Sequence, residues 1–248
     1  MSAVTDGLRS GAQHPQAAHP RAVHASRVTA DFGAEPSGPY DLALREGARE
    51  LFLHEVGSSR RPDVIPVWRF RAAADAVERE LLGRGAGPVL DLGCGPGRMV
   101  LASLVAGRPA LGVDSSRAAV ELATARGLPV LRRSLFEPLP GEGRWGTVLL
   151  LDGNIGIGGD PARLLDRAAA LARPGGTVIV EGHPDAAEHT SFDAVLVDAH
   201  GRRSTPFRWA RVGAAALRRH ARRAGLRLTH EWRAGERTFC EYAVPMPR

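Results

Sequence analysis

The chain has 248 residues, of which 44% are hydrophobic and 24% are charged, as is ordinary for a globular protein with one substantial core. No apolar run approaches the roughly 18 residues that span a bilayer, and the N-terminal residues lack the apolar segment of a secretory signal. The two cysteines exclude a disulfide framework. We therefore expect a soluble, cytoplasmic protein without membrane contact; an organellar transit peptide is the less favoured alternative.

The formal net charge of +6 comes from 33 arginines, since the sequence contains no lysine. In the densest basic stretch, RRHARRAGLR over residues 218–227, apolar residues can form one helical face and arginines the solvent face. This pattern favours a solvated helix over an RNA-binding site. His14, His19 and His24 do not share a helical face, so no metal site is expected.

Three segments of the chain differ in pattern. Residues 1–36 are rich in Pro, His, Gly and Ser without periodicity, which predicts a disordered tail. Residues 37–86 show helical periodicity over 40–53 and 67–84, which predicts a helical N-terminal extension able to act as a lid. Residues 87–248 are predicted to form the core domain.

Strand and helix patterns alternate after residue 88, which predicts a doubly wound α/β fold with a mostly parallel sheet. Strands are expected near residues 88–92, 109–114, 129–133, 147–152 and 176–181, and helices near 97–106, 116–126 and 161–173. A helix near 211–225 and a hairpin of residues 226–232 and 237–245 predict an antiparallel C-terminal edge. A further hairpin is predicted within residues 191–212, turning at His200–Gly201.

A glycine-rich loop follows the first predicted core strand, in the sequence VLDLGCGPGRMV of residues 89–100. The dinucleotide fingerprint G-x-G-x-x-G would need a glycine where Arg98 stands. Asp91 at the strand end would repel a pyrophosphate and attract a cation. S-adenosylmethionine carries a sulfonium and an ammonium group, so the charge favours it over NAD. Asp114 ends the next strand at the spacing where an acid reaches ribose hydroxyls, which suits either cofactor.

The motifs DLGCGPG, GVDSS and ARPGGTVIVEG, in this order, resemble those of the class I S-adenosylmethionine-dependent methyltransferases. The resemblance covers residues 87 to the C-terminus and implies a Rossmann-like, seven-stranded sheet. The stretch LLLDGNIGIGGDP, residues 149–161, is similar to a bacterial subgroup of this family.

The resemblance implies a cofactor site of nine residues. Asp91 would orient the methionyl amino group, the loop glycines would admit the methionyl part, and Asp114 would accept hydrogen bonds from the ribose. The family commonly places an acid against the adenine amino group, but here the corresponding residue is a serine. The full set is Asp91, Gly93, Gly95, Gly97, Asp114, Ser115, Ser134, Leu135 and Asp152.

Two residues are candidates for catalysis. Asp152 ends the fourth core strand, where the family often places methionyl or acceptor contacts, and neighbouring Asn154 is a weaker candidate. His183 follows the fifth strand and could face the acceptor as a general base. Cys94 has no identified base and is not expected to be a nucleophile. Trp68, Phe70, Phe207 and Trp209 are interpreted as core residues, with an aromatic lid as the alternative.

The favoured function is methyl transfer from S-adenosylmethionine to a small molecule, with residues 40–84 and 183–210 forming the acceptor side. Methyl transfer is an in-line displacement, so the protein mainly aligns the acceptor and excludes water. The alternatives are an RNA methyltransferase that uses the arginine surface and a cofactor-binding regulator that transfers no methyl group. An NAD(P)-dependent dehydrogenase is disfavoured by Arg98 and Asp91.

Overall fold

A computed structural model of the chain describes residue 1 and residues 32–247. Most of the predicted tail, with His14, His19 and His24, therefore lies outside the described residues. The tail was predicted to extend to residue 36, but Phe32 already packs between Tyr40 and Trp209, with ring centroids 5.0 Å and 5.1 Å away. The prediction of disorder is wrong for this last part of the segment.

The N-terminal extension is not wholly helical. It contains α1 (Pro39–Glu46), β1 (Leu51–Glu55), β2 (Asp63–Ile65), α2 (Val67–Arg71) and α3 (Ala76–Arg84). The prediction of a helix over 40–53 is wrong beyond Gly47, which ends α1 in the left-handed region at φ 72°. The prediction over 67–84 is wrong at its centre, because the Asp75 and Glu78 side chains each accept the other's backbone N–H and start α3 anew.

The central sheet has seven strands and confirms the predicted fold class. Its strands are β3 (Val89–Leu92), β4 (Ala110–Asp114), β5 (Val130–Arg132), β6 (Trp145–Leu150), β7 (Ala172–Gly182), β10 (Arg227–Ala234) and β11 (Arg237–Ala243), in the order β10-β11-β7-β6-β3-β4-β5. Neighbouring strands run parallel except at β11, which is antiparallel to both β7 and β10. The antiparallel strand thus lies one position inside the edge, which is formed by β10.

Helices cover both faces of this sheet, as the continuous apolar strands predicted. They are α4 (Arg98–Val105), α5 (Arg117–Thr124), α6 (Pro161–Leu171) and α7 (Ala214–Arg223). Leu81 of α3 and Met99 of α4 share a core with one face of the strands, while Leu164 of α6 and Leu217 of α7 share a core with the other. The extension therefore contributes α3 to the main core.

A second sheet has the order β2-β1-β8-β9, with β8 (His189–Val197) and β9 (Phe207–Val212), and all of its pairs are antiparallel. The predicted hairpin is confirmed, since the register from His189–Val212 to Ala194–Phe207 is centred on His200–Gly201. A short 3-10 segment (Asn154–Gly159) packs beneath β9. A Cβ at Gly156 would lie 2.3 Å from the Ala210 carbonyl oxygen, so this close approach requires glycine. Among the described residues, no helix is long and apolar enough to cross a membrane.

Candidate functional site

A cavity of about 420 Å³ lies between the carboxyl ends of the central strands and the second sheet. One wall carries the glycine loop, the acids that end β3, β4 and β7, and the acid that follows β6. The opposite wall carries apolar and aromatic side chains from β1, β2, α2 and β9. Principal lining residues are Tyr40, Leu53, Ile65, Phe70, Asp91, Gly93, Gly95, Arg98, Asp114, Asp152, Asn154, Glu181, His183 and Trp209. Ligands of doubly wound folds bind at this edge of the sheet.

The glycine loop is held open by hydrogen bonds from two directions. The Gly95 N–H donates to Asp114 Oδ2 at 2.7 Å, and Asn154 Nδ2 donates to the Leu92 and Gly93 carbonyls at 3.0 Å and 2.8 Å. Gly93 adopts φ 73°, and a Cβ there would lie 2.6 Å from Asn154 Nδ2. Only glycine fits this position, and Asn154 supports the loop through contacts that the sequence did not reveal.

Two carboxylates at neighbouring strand ends face the cavity. Asp91 is 4% exposed, and burial raises its pKa to about 7 against the opposing effect of Arg98. Burial raises the pKa of Asp114 to about 6, although the Ser116 and Gly95 N–H groups donate to its two oxygens. These hydrogen bonds leave lone pairs of Asp114 available to a ligand.

Asp152 is the centre of a buried ionic network at the floor of the cavity. It has φ 53°, its N–H donates to Glu181 Oε2 at 2.8 Å, and Arg98 Nη2 donates to its Oδ2 at 2.5 Å. Burial raises the pKa of Asp152, while Arg98 opposes the rise. Arg237 donates twice to Glu181, at 2.8 Å and 2.7 Å. Arg98, which stands where the dinucleotide fingerprint has glycine, is thus an internal cation of this site.

The first motif region does not lie entirely on the cavity wall. Gly97 begins α4 in the left-handed region, and a Cβ there would lie 2.7 Å from Leu128 Cδ1, so this predicted cofactor residue faces the core instead. Ser115, Ser134 and Leu135 do line the cavity. The Ser115 hydroxyl donates to the Phe32 carbonyl at 3.0 Å, and the Ser134 N–H donates to Glu137 Oε2 at 3.0 Å.

A family profile described as "Methyltransferase domain" matches residues 67–231, which is more than half of the chain. The chain belongs to the methyltransferase-domain family. This membership confirms the class of enzyme predicted from the motifs, a class I methyltransferase with S-adenosylmethionine as methyl donor. It also removes the dehydrogenase alternative.

Solved structures of methyltransferases share the fold. An S-adenosylmethionine-dependent methyltransferase from Bacteroides fragilis, in complex with S-adenosyl-L-homocysteine, is 20% identical with a TM-score of 0.68, covering 84% of this chain and 93% of that one. The 1,6-didemethyltoxoflavin-N1-methyltransferase of Burkholderia thailandensis is 18% identical with a TM-score of 0.52, covering 68% and 77%. A sugar N-methyltransferase from Streptoalloteichus is 22% identical with a TM-score of 0.54, covering 72% and 91%. No curated protein matches the sequence.

The N-terminal helix of this methyltransferase closes one side of the cavity. A Cβ at Gly95 would lie 3.5 Å from the Tyr40 hydroxyl, which is buried over the loop. Burial and the nearby Asp114 raise the pKa of Tyr40, so the phenol remains a neutral donor. Asp41 Oδ1 accepts from the Ser116 hydroxyl at 2.7 Å and fastens α1 to the loop after β4.

His183 lies half-buried at the rim of the cavity, beside the second sheet. Its Nδ1 accepts the Asp185 N–H at 3.1 Å, which places the proton of a neutral imidazole on Nε2. In this arrangement Nε2 carries the proton and can only donate. Nδ1 could take a proton from an acceptor molecule only if its hydrogen bond with the Asp185 N–H broke. Cys94 is buried, and burial raises the pKa of its thiol, as suits the prediction that it is no nucleophile.

Sequence reasoning missed several residues of the methyltransferase site. Tyr40 lies outside every motif, Glu181 lies in the third motif but was given no role, and Arg237 lies on the last strand, far from every motif in sequence. Arg98 was noticed only as a departure from a pattern. The aromatic residues divide: Phe70 and Trp209 line the cavity, Phe207 is buried in the core, and Trp68 is 52% exposed.

Proposed function

We propose that this methyltransferase transfers the methyl group of S-adenosylmethionine to a small molecule held between its two sheets. The observation that carries the proposal is the second sheet, which covers the ligand edge and leaves a cavity of about 420 Å³. A covered cavity of this size suits a compact acceptor rather than a folded polymer. Two structurally similar enzymes, the 1,6-didemethyltoxoflavin-N1-methyltransferase and the sugar N-methyltransferase, are named for small acceptors, which supports this choice.

The cofactor end of the proposed site is the wall formed by β3 and β4. Asp91 would hold the methionyl ammonium group, Gly93 and Gly95 would admit the methionyl chain, and Asp114 would accept from the ribose. The adenine would lie against Ser134 and Leu135, and Ser115 would support the loop beside it. Tyr40 would close the wall from above. S-adenosylmethionine supplies an activated methyl carbon, so these residues need only hold and orient it.

The acceptor end is the wall formed by the second sheet and α2. Its surface is apolar and is formed by Leu53, Ile65, Phe70, Trp209 and Val212. Such a surface favours an acceptor with an apolar or aromatic body. These side chains would exclude water and hold the accepting atom in line with the methyl group.

Asp152 remains the better placed of the two predicted catalytic residues, since it lies at the cavity floor between the two ends of the site. A carboxylate there can stabilise positive charge on the methionyl part or accept a proton from the acceptor. His183 would act as a donor or a steric boundary in the geometry described above.

Incubation with methyl-labelled S-adenosylmethionine and fractionated small metabolites tests the proposal, with mass spectrometry to detect labelled products. We expect label in a small molecule, and we expect Trp209→Ala to reduce turnover through the acceptor KM. As a matched control, Trp68→Ala changes an exposed tryptophan outside the cavity lining and should leave turnover unchanged. Transfer to RNA alone would refute the proposal.

Two alternative functions give different results in the same experiments. An RNA methyltransferase would bind RNA through the α7 arginines with an affinity that falls steeply with salt. One of them, Arg218, is already paired with Glu231 at 2.7 Å. A regulatory protein would bind the cofactor tightly, form no labelled product and change the activity of a partner.

A further inference from the structure

The carboxyl ends of three adjacent strands, β3, β6 and β7, present acids side by side. Asp91 pairs in register with Leu149 of β6, and Leu150 of β6 pairs with Val180 of β7. Asp152 therefore follows β6 between Asp91 and Glu181. All three acids line the cavity, and in the sheet order β3 separates β6 and β7 from β4, which carries the proposed ribose contact.

Asp152 has a backbone conformation that needs support. Within residues 32–247, Asp152 and Ser37 are the non-glycine residues with positive φ, and Asp152 has φ 53°. Residues other than glycine seldom adopt such a conformation, and the surrounding structure must hold it in place. The Glu181 carboxylate accepts the Asp152 N–H at 2.8 Å and so fixes the backbone of this residue.

Glu181 is itself fixed by a two-pronged contact. The Arg237 guanidinium donates Nε to Oε1 at 2.8 Å and Nη2 to Oε2 at 2.7 Å, and the two side chains are 14% and 11% exposed. A planar fork of this kind sets direction as well as distance. Arg237 Nη2 also lies 3.9 Å from Asp152 Oδ1, so one arginine braces both the partner and the carboxylate of Asp152.

The network is short of positive charge. Arg69, Arg98 and Arg237 form ion pairs with four carboxylates: Asp75, Glu78, Asp152 and Glu181. Asp91 adds a fifth acid: burial raises its pKa, Arg98 opposes the rise, and the neighbouring acids, among them Asp152 and Glu78, raise it further. A cation placed between Asp91 and Asp152 would balance the floor of the cavity.

We infer that the Glu181–Arg237 ion pair is a positioning device: it holds Asp152, which the family resemblance already implies as a cofactor residue, in place beside Asp91 to contact the methionyl ammonium group. Glu181 and Arg237 are positioning residues and do not themselves contact the ligand. The inference rests on the proposed cofactor site and adds Arg237, which lies outside every motif, and a role for Glu181.

Two ligands separate this role from a general contribution to folding. S-adenosylhomocysteine carries the ammonium group, whereas 5′-methylthioadenosine keeps the nucleoside and lacks the amino-acid part. In calorimetry, Arg237→Gln should weaken S-adenosylhomocysteine about tenfold, as expected for one misplaced charge-assisted hydrogen bond, and leave 5′-methylthioadenosine unchanged. A purely electrostatic role predicts the opposite sign, because removal of a cation near the acids would strengthen ammonium binding.

Further variants keep the test independent of folding defects. Arg237→Lys retains the charge without the fork and should give a smaller loss. Glu181→Gln keeps an acceptor for the Asp152 N–H and should also leave the affinity for 5′-methylthioadenosine unchanged. The matched control Arg218→Gln removes the exposed pair with Glu231 and should change neither affinity.

Equal weakening of both ligands, or no weakening in any of these network variants, would overturn the inference. The measurements need no methyl acceptor. Failure to find a small-molecule acceptor would therefore refute the proposed function and leave the positioning role standing, whereas equal ligand weakening would refute the positioning role alone.

Discussion

The raised pKa of Asp91 should make cofactor binding sensitive to pH near neutrality. Burial raises this pKa from 3.8 to about 7, which corresponds to a penalty on the charged form of about 4 kcal/mol at most. An ammonium group beside the carboxylate favours its charged form, so binding releases a proton when the pH lies below 7. The affinity should therefore rise about tenfold per unit as pH approaches 7 from below, and level off above it.

Calorimetry with S-adenosylhomocysteine between about pH 6 and pH 8 measures this slope, and 5′-methylthioadenosine serves as the ligand control. The control ligand lacks the ammonium group, so its affinity should not follow the pKa of Asp91. Asp114 has a pKa of about 6, so its protonation at lower pH should reduce the affinity for both ligands through the loss of the ribose contact. The ratio of the two affinities therefore isolates the acids that contact the ammonium group, and the Asp91→Asn variant identifies the share of Asp91.

Asp91→Asn should bind S-adenosylhomocysteine weakly at every pH, without the slope. The same variant should be more stable at pH 8, because the folded protein holds the Asp91 proton more tightly than the unfolded chain does. In the wild-type protein, the contribution of Asp91 to the free energy of unfolding is fully present below about pH 4, where the carboxyl is protonated in both states. It is lost as the pH rises to about 7 and the buried carboxyl ionises. A flat affinity profile in the wild-type protein, or an unchanged slope in Asp91→Asn, would refute the assignment of Asp91 to the ammonium group.

Three other substitutions probe the site. Gly93→Ala places a Cβ within 2.6 Å of Asn154 and should abolish cofactor binding measured by calorimetry. The control is Gly57→Ala: Gly57 has a similar φ of 76° with open space around it, so this change should cost about 1–2 kcal/mol of stability and leave binding intact. Asp41→Ala removes the contact of α1 with Ser116 and should speed both α1 amide exchange and cofactor dissociation; unchanged exchange would count against the lid. His183→Asn should lower kcat less than tenfold, because Nδ1 is already engaged; a loss of about 100-fold or more would restore the general-base role.

The central sheet could be predicted because its strands are buried on both faces and joined by short helices. Each parallel strand therefore appears as a continuous apolar run, and the order of strand and helix leaves few topologies. The second sheet could be predicted only in its C-terminal half. β1 spans five residues, and its partner β8 lies well over a hundred residues later, so the local pattern of Leu51 and Leu53 fitted a helix as well as a strand.

The acids at strand ends were predictable for the same reason as the strands, but the arginines behind them were not. Asp91, Asp114 and Asp152 are marked by their place after apolar runs, whereas Arg237 meets Glu181 through the pairing of β11 with β7. Arg98 was correctly used as evidence against a dinucleotide fingerprint, but the sequence did not reveal its ion pairs. Arg98 stands at the sequence position where the dinucleotide fingerprint has glycine, and its guanidinium pairs with Glu78 and Asp152. The residue that departs from the fingerprint is thus also a cation that holds the acids of the cavity together.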